Sequence, residues 1–227
     1  MSRARTELLL ESEIERSLQP TWFLDSQAPN VLEFANRATE GAEDEKDRAV
    51  RLFYAVRDGF WYDPYTASHD ASDYRASSIV EQVRAYCGPK AILLTALARA
   101  VGVPARVGFA DVRNHLATPK LLEHLGTDLF VFHGYSELYL EGRWLKAAPT
   151  FNLDLCNRFG VSPQEFDGTS DALLQPFDAA GRQHMEYVND RGTFEEVPFD
   201  EMMRVLAATY GASFGRTQSE SEKIFRP

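Results

Sequence analysis

Positive charge and cysteine are both scarce in this sequence. Against 34 Asp and Glu there are 24 Lys and Arg, which leaves a formal net charge of −10. Binding a nucleic acid or an anionic membrane takes a clustered excess of Lys and Arg, so no nucleic-acid or membrane partner is expected. Cysteine occurs only at Cys87 and Cys156. Two residues cannot build the disulfide framework of a small secreted domain, and a reducing, cytoplasmic setting is the expectation. Long apolar runs are missing too. Leu8, Leu9 and Leu10 stop at Glu11, and the stretch from Ala91 to Val101 is broken by Arg99. Neither suits a signal-peptide core or a membrane span of about 20 residues. A Gly-rich phosphate loop and an internal repeat are also absent, which removes P-loop nucleotide chemistry and solenoid folds.

What is present reads as one globular domain: 227 residues, 44% hydrophobic and 12% aromatic, are enough to bury a core without staples. The expected organisation is an N-terminal arm over residues 1–42, a domain over 43–212 and a polar tail over 213–227. The arm carries Pro20 and Pro29 around Trp22, Phe23 and Leu24. Ala49, Leu52, Phe53 and Val56 then recur at helical spacing behind the acidic turn Glu43, Asp44 and Glu45, predicting a helix over 43–58. Ser78 with Glu81 has capping-box spacing and predicts a short helix that stops near Tyr86.

The segment from Cys87 through Gly88, Pro89 and Lys90 into AILLTALARAVG predicts a helix that starts at or just after Cys87. Proline is tolerated only in a first helical turn, and Gly102 and Pro104 supply the stop. The helix is apolar nearly all round apart from Lys90 and Arg99, the pattern of a helix buried in the middle of a domain. The period then changes to two. Ala105, Val107 and Phe109 alternate with polar or small residues. FVFHGYSELYL over 130–140 returns through Glu141-Gly142 into RWLKAA, a hairpin. A loop over 149–184, a strand over 185–188 and a helix over 200–210 complete an α+β order.

A cysteine nucleophile needs ionisation, a base and a group that orients the base. Cys87 stands at a helix N-terminus, where backbone N–H groups favour a thiolate and the Cys87 N–H is placed to donate to an oxyanion. His133 on the following strand is the natural base. By the period of two, Tyr135 and Glu137 share its face, as a wall of the site and as part of a polar network. The cluster Asp111, Arg113, Asn114 and His115 is a candidate lining of a substrate groove. His115, His124 and His133, or His184 with Glu186, match no compact metal spacing, so no metal and no cofactor is expected.

Three pieces resemble the transglutaminase-like superfamily, the papain-related group of Cys-His-Asp enzymes. They are Tyr86-Cys87-Gly88-Pro89-Lys90-Ala91, then Val101-Gly102-Val103-Pro104-Ala105-Arg106, then His133-Gly134-Tyr135-Ser136-Glu137 followed by Trp144. The resemblance implies a transglutaminase core, a central buried helix packed on an antiparallel β-sheet. It also implies thiol-dependent acyl transfer on a peptide or other amide-bearing substrate, with Cys87 as nucleophile and His133 as base. Where the family carries an Asp-Pro-Thr string, this sequence has Ala148-Pro149-Thr150. The orienting role then falls to Asn152, whose amide oxygen can accept the imidazole N–H as in papain-like enzymes, or to Asp154. If neither reaches His133, a catalytically degenerate binding or scaffold domain is the alternative.

Overall fold

A computed structural model of the chain describes residues 3–211 and residue 214. Two helices, α1 (Arg3–Arg16) and α2 (Pro29–Ala38), occupy the segment expected to be an irregular arm. Pro29 falls in the first turn of α2, where its missing N–H costs nothing. Leu24, Val31 and Ala35 join the main core, so this segment is part of the body. Helix α3 (Glu45–Gly59) starts at Asp44, whose carboxylate accepts the Asp47 N–H at 2.8 Å. It buries Ala49, Leu52, Phe53 and Val56, as the periodicity predicts.

Strand β1 (Trp61–Tyr62) is followed by a 3-10 turn, the short helix α4 (Ala76–Ile79) and strand β2 (Arg84–Ala85), which pairs in parallel with β1. The expected capping box does not form. Ser78 lies inside α4, and Glu81, beyond its end, accepts from Asn30 Nδ2 at 2.7 Å. Helix α5 (Cys87–Ala100) begins where Pro89 predicts, with Tyr86 as N-cap, and from Pro89 to Arg99 every residue is buried. The chain continues through β3 (Ala105–Asn114), α6 (Pro119–Leu125), β4 (Leu129–Leu140), β5 (Arg143–Ala147), α7 (Leu153–Phe159), β6 (Met185–Phe194) and α8 (Phe199–Tyr210). The polar tail beyond Phe214 lies outside the described residues.

Strands β5, β4, β3 and β6 form one antiparallel sheet in that spatial order, with α5 packed on it, the α+β arrangement expected. At the β4–β5 turn Glu141 and Gly142 both have positive φ, 50° and 83°, the backbone of a two-residue type I′ hairpin. On the face of β4 toward α5, Leu138 enters the core and the Ser136 hydroxyl donates to Ala91 O at 2.9 Å. Between Ala110 and Val112 the β3–β4 register slips, and Phe132 takes φ 55°. A left-handed Phe is sterically costly and persists only when its surroundings hold it. Asp111 does so. It accepts the Phe132 N–H at 3.1 Å and a bidentate pair from Arg191 at 2.6 and 2.8 Å. Asp111 therefore holds the bulge next to His133; it is buried rather than lining an open groove.

Candidate active site

The half-buried Cys87 thiol lies at the first residue of α5. Burial pushes it up to about 11, against the main-chain N–H groups of Gly134, Gly88 and Cys87, which favour the thiolate. The Gly134 N–H is the strongest of these opposing groups. It is free for the thiol because β5 pairs with β4 only as far as Ser136–Ala147. The approach depends on glycine: a Cβ at Gly134 would stand 2.9 Å from both Cys87 O and Gly88 Cα. The residue after the proposed base thus belongs to the site, and its glycine identity was the signal in the sequence.

His133 is 3% exposed, and its Nε2 is buried with no hydrogen-bond partner. Burial alone holds the imidazole down at about 4, so it is neutral at neutral pH. Alternation along β4 turns Gly134 toward α5 and His133 toward the other face, where its ring meets Tyr187 edge-on at 6.1 Å. Tyr135 shares that face and donates to Asp190 at 3.2 Å. Glu137 is tied to Arg106 at 2.6 Å, a network within the sheet as expected.

No carboxylate orients the imidazole from the expected position. Ala148 is fully buried, clusters with Ala110 and Tyr135, and donates its N–H to Ala172 O at 2.8 Å. Asn152, expected to orient the imidazole, does not do so. Its Oδ1 accepts the Tyr62 N–H at 3.2 Å instead of serving His133. The reason is local: Trp61 and Asp63 donate to β2 and the loop beside it, so the intervening Tyr62 N–H points the other way and needs a buried acceptor. Asp154 is exposed in the first turn of α7, unlike the buried His133.

Lys90, one turn into α5 from Cys87, was legible only as a cation on an apolar helix. It is fully buried and donates to Arg57 O at 2.8 Å, Phe60 O at 2.9 Å and Thr150 O at 3.0 Å. Burial brings it down to about 7. One ammonium thereby joins the end of α3, the approach to β1 and the loop after β5 to the base of the thiol helix.

Two cavities meet at Tyr62 beneath α6. The one that Cys87 lines has a volume of about 60 Å³ and aromatic walls. The other, of about 220 Å³, is lined by Asn114, Cys156, Arg182 and His184 among apolar neighbours. Cys156 is buried, with its thiol 3.8 Å from Phe151 O and burial pushing it up to about 11. Glu186 pairs with His115 at 3.1 Å, not with His184. Among the described residues no group of three or more His, Cys, Asp or Glu side chains is arranged to hold a metal ion, and no helix is long and apolar enough to cross a membrane.

A cysteine opening a buried helix that packs on an antiparallel sheet, with a histidine on the strand beside it, defines a thiol-enzyme-like α+β fold. The sequence profile of the transglutaminase-like superfamily matches residues 32–149, and the chain belongs to that superfamily. Among solved structures it is similar to a proposed cysteine protease from Cytophaga hutchinsonii, at 17% identity and a TM-score of 0.47 over 80% of this chain and 54% of that one. It is also similar to a proposed protease from Parabacteroides distasonis, at 13% identity and a TM-score of 0.37 over 60% of this chain and 25% of that one. The chain thus spans about half the length of the first and a quarter of the second. No curated protein matches it.

Proposed function

We propose that the chain is a thiol-dependent acyl-transfer enzyme that works with a Cys87–His133 dyad on an amide-bearing substrate. The observation that carries this reading is the set of three main-chain N–H groups around the Cys87 thiol, one of them delivered by the residue after His133. Burial favours the protonated thiol of Cys87 and the neutral imidazole of His133, so in this reading attack proceeds from a neutral pair. In the resting structure the imidazole packs on Tyr187, on the face of β4 away from α5, so this step requires it to swing across the free edge of β4 to the thiol. It then takes the thiol proton as Sγ bonds to the amide carbon and the C=O electron pair moves onto oxygen, where the Cys87 N–H donates. The C=O reforms, the C–N bond breaks, and His133 returns the proton to the leaving amine. Water then adds to the thioester and loses a proton to His133. The S–C bond breaks, the thiol regains that proton, and a carboxylic acid leaves. An amine in place of water would give transamidation; hydrolysis is the preferred outcome.

Without an orienting carboxylate the imidazole is held by packing alone, and turnover is expected to be slow, since losing the right tautomer in a Ser-His-Asp triad costs ~10⁴ in rate. Ala148 favours a second reading, a binding domain whose chemistry has lapsed. Hydrolysis of a panel of activated esters and amides separates the two. The dyad predicts slow turnover in wild type and its loss in Cys87→Ala. Turnover that survives Cys87→Ala overturns the dyad; no turnover with any substrate overturns it too and leaves the binding domain.

A further inference from the structure

We propose that the acyl group Cys87 carries is small, uncharged and apolar. The inference rests on Cys87 being the nucleophile. In a thioester the acyl group stays bonded to Sγ, so it must occupy the space that the thiol lines. That space is the cavity of about 60 Å³, far below the ~150 Å³ that accommodates benzene. A short aliphatic group fits within it, whereas an aromatic ring would have to project beyond it.

The walls are also specific in polarity. No Asp, Glu, Lys or Arg is among the described residues that line this cavity. Two of its four tyrosines, Tyr86 and Tyr210, present rings, because their hydroxyls are engaged elsewhere. Tyr86 donates to the Tyr74 hydroxyl at 2.9 Å, while Tyr210 accepts the Val131 N–H at 2.8 Å and donates to Leu129 O at 3.3 Å. Leu206 and Val131 complete an apolar surface. The imidazole of His124 lies 5.1 Å from the Tyr65 ring, and burial lowers its affinity for a proton. A charge brought here would lose hydration and find no counter-charge among the lining residues. Polar side chains gather beyond Tyr62, in the larger cavity lined by Asn114, Arg182 and His184, which suits the polar parts of a substrate.

Alkyl methanethiosulfonates test this without turnover. The Cys87 thiolate attacks the sulfenyl sulfur, a disulfide forms, methanesulfinate leaves, and the thiol proton goes to buffer. Rates are measured in a Cys156→Ala background and divided by those of the same protein unfolded in urea. The methyl reagent should modify Cys87 at least tenfold faster than both the cationic trimethylammonioethyl and the anionic sulfonatoethyl reagents. It should also be at least tenfold faster than the benzyl reagent, with Leu206→Ala restoring the benzyl rate. A cationic rate equal to the methyl rate would mean that the net negative protein field governs access, and it overturns the proposal; so does a benzyl rate equal to the methyl rate in wild type. Should Leu206→Ala fail to fold, the wild-type ratios decide. Selectivity without any ester or amide hydrolysis refutes the dyad, and with it the acyl-enzyme, while leaving the preference of the cavity standing; hydrolysis with unselective labelling refutes this inference alone.

Discussion

Replacing His133 with leucine should remove a pH dependence from the stability of the fold while leaving neutral stability intact or improved. In the unfolded chain a histidine titrates near 6.5, and in the fold burial holds His133 at about 4. Between those values the unfolded chain binds the proton more tightly. The contribution is therefore fully present above pH 6.5 and lost as pH falls through 4. At about 1.4 kcal/mol per pH unit, the gap is worth about 3–4 kcal/mol. At pH 7.5 the wild type also keeps Nε2 buried without a partner, a state that costs ~1–3 kcal/mol. Leucine removes that atom but fits the imidazole space imperfectly, so a net change between zero and about 1 kcal/mol of stabilisation is expected. Urea unfolding followed by tryptophan fluorescence at pH 7.5 and pH 4 reads both effects. Burial also lowers the proton affinity of His124 and His184, but both are common to wild type and variant, so the difference in acid loss belongs to His133. Equal acid losses in the two proteins, or a variant weaker by more than about 1 kcal/mol at pH 7.5, would refute the reasoning. A site residue that costs stability in its resting state is what a functional role leads one to expect.

Lys90→Met should destabilise the protein by ~3–5 kcal/mol in urea unfolding, because the carbonyls of Arg57, Phe60 and Thr150 lose one shared donor while remaining buried. An unchanged midpoint would mean that water or local rearrangement replaces the ammonium. Gly134→Ala places a methyl 2.9 Å from the backbone of Cys87 and Gly88, neither of which can rotate away. It should cost ~1–3 kcal/mol in thermal unfolding and lower any Cys87-dependent turnover. A variant that keeps both would show that α5 does not need to approach β4 so closely.

Several elements of the site were legible because the chemistry that makes them is local. Pro89 and the Gly102–Pro104 stop bracket α5, and Glu141-Gly142 encodes a turn whose positive φ values few other pairs accept. Alternation along β4 predicted the shared face of His133 and Tyr135. The proposed third partner was not legible in the same way. Asn152 lies at a suitable distance along the chain, but its oxygen is claimed by Tyr62, a residue 90 positions away whose N–H the extended geometry of β1 points away from β2.

By itself, then, the sequence determined where the thiol helix starts and where the hairpin turns, since each follows from neighbours within a turn or a strand, and its motifs carried the resemblance to the transglutaminase-like superfamily. Only the tertiary structure decided which polar groups meet. It assigned Glu81 to Asn30 rather than to a cap, Asp111 to a bulge, Lys90 to three carbonyls and Gly134 to the thiol. Buried polar atoms must find partners wherever the fold brings them, and no spacing along the chain records which partner is nearest.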